Sequence, residues 1–115
     1  MNKFVIIAAI LSVSFVLVYC NPAKRAAKTT VKSTYSNDVS SLVVTFCSPC
    51  HIPANGGKKK PYDSYATVKS DIDEIIKRIE LNPGDKGFMP MRRTTRLNDS
   101  VIAIFKKWKD DGLVE

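Results

Sequence analysis

The chain has 115 residues, with 18 Lys/Arg against 11 Asp/Glu and a formal charge of +7. That length predicts one domain. No basic face interleaved with aromatics is readable, so nucleic acid is not expected as a partner. The charge excess is also local: from residue 35 onward 13 Lys/Arg face 11 Asp/Glu, leaving only +2.

Residues 1–20 read as a signal peptide or lipoprotein leader. Asn2 and Lys3 make a short, singly charged start, and residues 4–19 are apolar except for Ser12 and Ser14. A spanning helix needs roughly 20 apolar residues, and this run ends sooner and abruptly. Leu17-Val18-Tyr19-Cys20 resembles a lipobox, with Tyr19 standing where a small residue is usual. Cys20 is then the expected acylation site, and two acyl chains would anchor the protein where one is marginal. An uncleaved anchor or cleavage elsewhere are the alternatives. All three place the remainder outside the cytoplasm, on the periplasmic side of a membrane.

Residues 21–34 form a basic tether, with Lys24, Arg25, Lys28 and Lys32 and no acidic residue. A solvated linker explains it. Beside a membrane each such charge could add on the order of 1 kcal/mol of attraction to anionic headgroups.

The folded domain is expected over residues 35–115, and its pattern is all-α with three main helices and no convincing strand. The first helix is predicted over 38–47. Ser36 or Asn37 would cap it, and Val39, Leu42, Val43 and Phe46 recur at helical spacing. Pro53 then disfavours helix at Ile52. Asn55-Gly56-Gly57 marks a loop, followed by Lys58, Lys59, Lys60 and Pro61. The second helix is predicted over 64–81, capped by Asp63, with Tyr65, Val68, Ile72, Ile75, Ile76 and Ile79 as its apolar face. Asn82-Pro83-Gly84 ends it. Residues 85–97 read as irregular and basic around Met89-Pro90-Met91. The third helix follows Asn98 with a stripe of Val101, Ile102, Ile104, Phe105 and Trp108. Gly112 stops it, and Lys106, Lys107 and Lys109 complement its dipole.

Chemistry concentrates at Cys47-Ser48-Pro49-Cys50-His51. This is C-x-x-C-H, the attachment signature for c-type haem. Cys47 and Cys50 would bond the haem through thioethers, and His51, the chain's one histidine, would be an axial iron ligand. With Cys20 at the junction, no cysteine remains for a structural disulfide. A folded part of about 80 residues is small for an unaided core, so a covalently held macrocycle would also serve structurally.

A sixth iron ligand must come from elsewhere. The thioethers of the domain are Met89 and Met91, and such a ligand favours ferrous iron, as suits an electron carrier. Met89 is preferred because Pro90 stiffens the backbone after it; Met91 is the alternative, and core filling is the ordinary role of either. Arg92, Arg93 and Arg96 could pair with haem propionates, form a docking rim for an acidic partner, or be solvated. Tyr62 and Tyr65 could reach a propionate, although core packing is their commoner use.

Haem motif, Met-Pro loop and C-terminal helix, in this order, resemble the small class I c-type cytochrome domains of exported bacterial mono-haem proteins. The opening Tyr35-Ser36-Asn37-Asp38-Val39 and the ending Leu97-Asn98-Asp99-Ser100-Val101-Ile102-Ala103-Ile104-Phe105-Lys106-Lys107-Trp108-Lys109-Asp110-Asp111-Gly112 share in the likeness, which covers residues 35–113. The resemblance implies a cytochrome c-like fold around one covalent haem c and a methionine ligand that precedes a proline, as Met89 does. It also implies an aromatic contact where the first and last helices cross, with Phe46 and Trp108 or Phe105 as candidates. In the family a proline carbonyl often accepts the histidine Nδ1 hydrogen, and Pro61 is the candidate here. The Gly56-Gly57 and Lys58-Lys60 interval departs from the family pattern.

The function expected is electron transfer between redox partner proteins, without catalysis, by a membrane-tethered mono-haem cytochrome. One rival keeps haem but leaves the sixth site open, as in a peroxidase or gas sensor. Another is an exported dithiol or metal-binding protein. Zinc would want about four ligands where one motif supplies three. A thioredoxin-like dithiol would want a βαβ context.

Overall fold

The computed structural model describes residues 31–115. The leader, Cys20 and most of the basic tether lie outside the described residues. Within them the chain is helical and contains no β-strand; one isolated bridge joins Thr34 to Val114.

The first helical segment begins earlier than its sequence predicts. A π-helical turn, Tyr35–Val39, runs directly into α1, Ser40–Cys47. The cap is Thr34, in place of the expected Ser36 or Asn37: its hydroxyl accepts from Asn37 N at 3.2 Å, while Asp38 accepts from Thr34 N at 2.7 Å. Two donors that a helix start leaves unpartnered are thereby satisfied. Ser33 is buried, and its amide donates to Asp111 at 2.6 Å.

The single helix expected over 64–81 is two: α2, Tyr65–Ser70, and α3, Ile72–Glu80. Ser64 caps α2 in place of Asp63, through a reciprocal capping box with Thr67. The break falls at Asp71, whose φ of −124° and ψ of 13° leave the helical region. The apolar stripe continues across it, so Val68, Ile72, Ile75, Ile76 and Ile79 are all buried.

The last helix, α4, spans Asp99–Asp110, as its caps and stripe predict. It ends where Asp111 N, Gly112 N and Leu113 N turn back to Lys107, Lys109 and Trp108 carbonyls. Gly112 takes a φ of 97°, which glycine adopts without steric cost. Ile102, Phe105 and Trp108 face inward.

Helix α3 packs along α4, and the π-helical turn packs on α4 as well. Trp108 is fully buried at that crossing, with its Nε1 donating to Val114 O at 2.7 Å. Its aromatic neighbours are Tyr35, centroid 5.8 Å away, and Tyr65 at 6.3 Å. The aromatic contact between first and last helical segments is thus made by Tyr35. Phe46, the residue expected there, lies under the Arg93 guanidinium at 5.5 Å. Every buried side-chain nitrogen and oxygen among the described residues has a partner.

Candidate functional site

Helix α1 ends at Cys47, and its last turn carries the chain into the C-x-x-C-H segment. His51 N still donates to Cys47 O at 3.0 Å, so the histidine stays tied to the helix end. The following loop then folds back under the motif. Lys59 N donates to Cys50 O at 3.0 Å, and Tyr62 N donates to His51 O at 2.8 Å. Gly57 N donates to Ile52 O at 3.1 Å.

Gly57 shows how closely this loop approaches. A Cβ there would fall 2.3 Å from Pro49 O and 2.7 Å from Cys50 O, both backbone atoms. Only glycine allows the contact. The turn before it is a short 3-10 segment, Pro53–Asn55, closed by Gly56 at a φ of 80°. The glycine-lysine interval that departs from the family pattern is therefore the strap that backs the histidine.

His51 Nδ1 lies 2.7 Å from Lys60 O. A carbonyl can only accept, so Nδ1 carries the hydrogen, and Nε2 is the ring nitrogen left to face a ligand. The acceptor is Lys60, one residue before the expected Pro61. The imidazole also stacks on Tyr62, centroids 4.6 Å apart and planes 14° from parallel. Tyr62 is buried, and its hydroxyl donates to Asp71, which also holds Lys60 Nζ at 2.6 Å. Burial, with the Asp71 hydrogen bond added, pushes the Tyr62 hydroxyl well above its ordinary range. Burial tends to raise the Asp71 carboxyl, but the hydrogen bonds from Lys60 and Tyr62 outweigh it and hold that carboxyl below the usual value.

These groups border a cavity of about 670 Å³, within the size range of small-molecule and cofactor sites. Cys47, Cys50, His51 and Met89 all line it. Its walls are chiefly apolar, including Phe46, Ile75, Ile79, Leu97 and Phe105, with Arg78 and Glu74 among several charged members. Met91 and Arg92 stand at the same cavity, but Met91 is 69% exposed whereas Met89 is half-buried and packed against the core. That contrast favours Met89 as the inward sulfur.

The Met89 loop is held by α3. Met89 N donates to Arg78 O at 3.2 Å, and Arg78 Nη1 reaches Gly87 O at 3.4 Å. Arg78 Nε is fixed by Glu74 at 2.7 Å. Arg96 pairs with Asp99 at 2.5 Å on the surface, and Arg93 covers Phe46. Of the tyrosines, Tyr65 turns its hydroxyl to Leu113 O at 2.9 Å and does not border the cavity; Tyr62 does.

Cys47 and Cys50, the cysteines among the described residues, form no disulfide. Burial pushes Cys47 up to about 11, so it is a protonated thiol at neutral pH. A low-pKa attacking thiolate, the hallmark of disulfide oxidoreductases, is not what this position provides. Among the described residues no group of three His, Cys, Asp or Glu side chains converges as a metal site. No helix among them is long and apolar enough to cross a membrane.

Sequence reasoning missed Gly57, Lys60, Asp71 and Arg78 as builders of this site. Only Gly57 left a signal, the Gly-Gly pair in a loop beside the motif. Compared with protein-family models, curated proteins and solved structures, the chain has no significant match.

Proposed function

We propose that this protein is an exported, membrane-tethered mono-haem c-type cytochrome that transfers electrons between protein partners and catalyses no reaction of its own. The observation that carries this reading is the convergence of Cys47, Cys50, His51 and Met89 on one largely apolar cavity. These residues are 42 positions apart at the extremes, and nothing in C-x-x-C-H requires a thioether at the same cavity.

In this reading the helices form a cytochrome c-like fold. Cys47 and Cys50 would hold the haem, each through a thioether to one of its vinyl groups. His51, whose Nδ1 is engaged by Lys60 O, and Met89 would be the residues that hold the iron. A bound haem c supplies the one-electron chemistry; the chain supplies ligand identity, orientation and exclusion of water. The apolar walls limit solvent, and the thioether favours the reduced state. Cys20, as a lipid anchor, would keep the domain at a membrane outside the cytoplasm.

The dithiol rival is disfavoured because desolvation keeps the half-buried Cys47 a protonated thiol at neutral pH, with little attacking thiolate. The open-site rival differs at Met89 alone. The ferric holoprotein should show the weak far-red absorbance band that marks methionine-to-iron ligation in the cytochromes this chain resembles. Met89→Ala should abolish the band and admit carbon monoxide to the ferrous form, while Met91→Ala should keep the band. Absence of the band in the unaltered protein, with fast carbon monoxide binding, would overturn Met89 as ligand.

A further inference from the structure

We propose that Asp71 is a positioning residue that fixes His51 through two arms at once, and thereby tunes the electron-donating strength of that ligand. The inference rests on the haem reading for its consequence, but its geometry is independent of it. The first arm is Lys60. Its Nζ is held by Asp71 Oδ1 at 2.6 Å, and its backbone oxygen accepts the His51 Nδ1 hydrogen at 2.7 Å. The second arm is Tyr62. Its hydroxyl donates to Asp71 Oδ2, its ring stacks on the imidazole, and its amide donates to His51 O. One carboxylate therefore controls both the hydrogen bond and the ring plane of the histidine.

The break between α2 and α3 fits this role. The apolar stripe would run through a continuous helix, yet the chain leaves helical geometry at Asp71 alone. The helical ladder resumes at once, with Ile75 N donating to Asp71 O at 3.0 Å. The Asp71 side chain is only 16% exposed, and both its oxygens are used. An acceptor on Nδ1 raises the basicity of the other ring nitrogen, which stabilises ferric iron. Loosening the strap should therefore raise the reduction potential.

Charge and positioning make opposite or distinct forecasts, which allows a test. Removing the Lys60 ammonium would lower the potential if only its charge acted, and Tyr62→Phe, which changes no charge, would leave it unmoved. The experiment compares holoprotein carrying Tyr62→Phe, Lys60→Met, Asp71→Asn and the Lys60→Met/Asp71→Asn pair. Two readouts are the reduction potential and the solvent exchange of the His51 Nδ1 hydrogen, unambiguous by nitrogen-15 NMR in a chain with one histidine. Upward potential shifts in both Tyr62→Phe and Lys60→Met, severalfold faster exchange, and non-additivity in the pair are expected. An unmoved Tyr62→Phe with a downward shift in Lys60→Met would overturn the proposal. Should Asp71→Asn fail to accumulate, Tyr62→Phe and Lys60→Met decide alone. Failure of the haem reading shows separately, as absence of haem mass in the unaltered protein. The exchange readout then still decides whether Asp71 holds His51: unchanged exchange in the variants would refute it.

Discussion

The two sides of the cavity are built differently. On the histidine side, residues 47–62 form a doubled-back strap in which the carbonyls of Cys50, His51 and Ile52 each receive a backbone hydrogen bond. Gly57 is pressed against that backbone, and Asp71 fastens Lys60 and Tyr62 from α3's start. On the methionine side, Met89 has one backbone bond to Arg78, a guanidinium contact nearby, and then six exposed residues from Met91 to Arg96. Under the proposed haem ligation, rigid support at His51 and light support at Met89 imply an order of failure. The methionine should detach under stress before the histidine does.

The largest expected effect breaks the histidine side. Gly57→Ala forces a Cβ into two carbonyl oxygens, and overpacking of this kind costs about 1–3 kcal/mol. Urea unfolding of the variant should show that loss. Gly84→Ala meets no neighbour, so its cost should be the smaller one of a φ of 98° alone.

Acid should act on the same side. The native fold holds the Asp71 carboxyl below its ordinary value, so its ionised form contributes stability. That contribution is complete above the unfolded carboxylate value of roughly 3.9 and is lost as pH falls through the lower native value. Asp71→Asn should therefore be less stable at neutral pH and show a flatter acid limb in unfolding titrations.

Smaller effects belong to the methionine side. Arg93→Ala removes a cation–π contact worth about 0.5–1 kcal/mol at an exposed site. It should speed loss of the far-red band on warming, with little change in His51 exchange. Met91→Ala, at an exposed position, should change stability by less than about 0.5 kcal/mol. A reversal of these last two outcomes would undo the assignment of support to the two sides.

Much of this site could be read directly from residues. Cys47, Cys50 and His51 carry their chemistry in their spacing, and Met89 stood out because few thioethers exist. Helix α4 was legible because its cap, stripe and Gly112 agree. What escaped was backbone and tertiary. Any carbonyl can accept a histidine hydrogen, so Lys60 could not be told from Pro61 by type. Asp71 sits in an unbroken apolar periodicity, and its partners lie nine and eleven positions upstream. Thr34 looked like tether because its capping depends on Asn37 and Asp38 folding back to it. Phe46 has the spacing of a core residue, and the third dimension gave its expected contact to Tyr35.

The intact mass of the exported protein tests the central claim most directly. The account predicts the polypeptide mass plus one haem, retained on denaturation and lost when Cys47 and Cys50 are both replaced by alanine. A mass without haem, from cells able to mature c-type cytochromes, would contradict it.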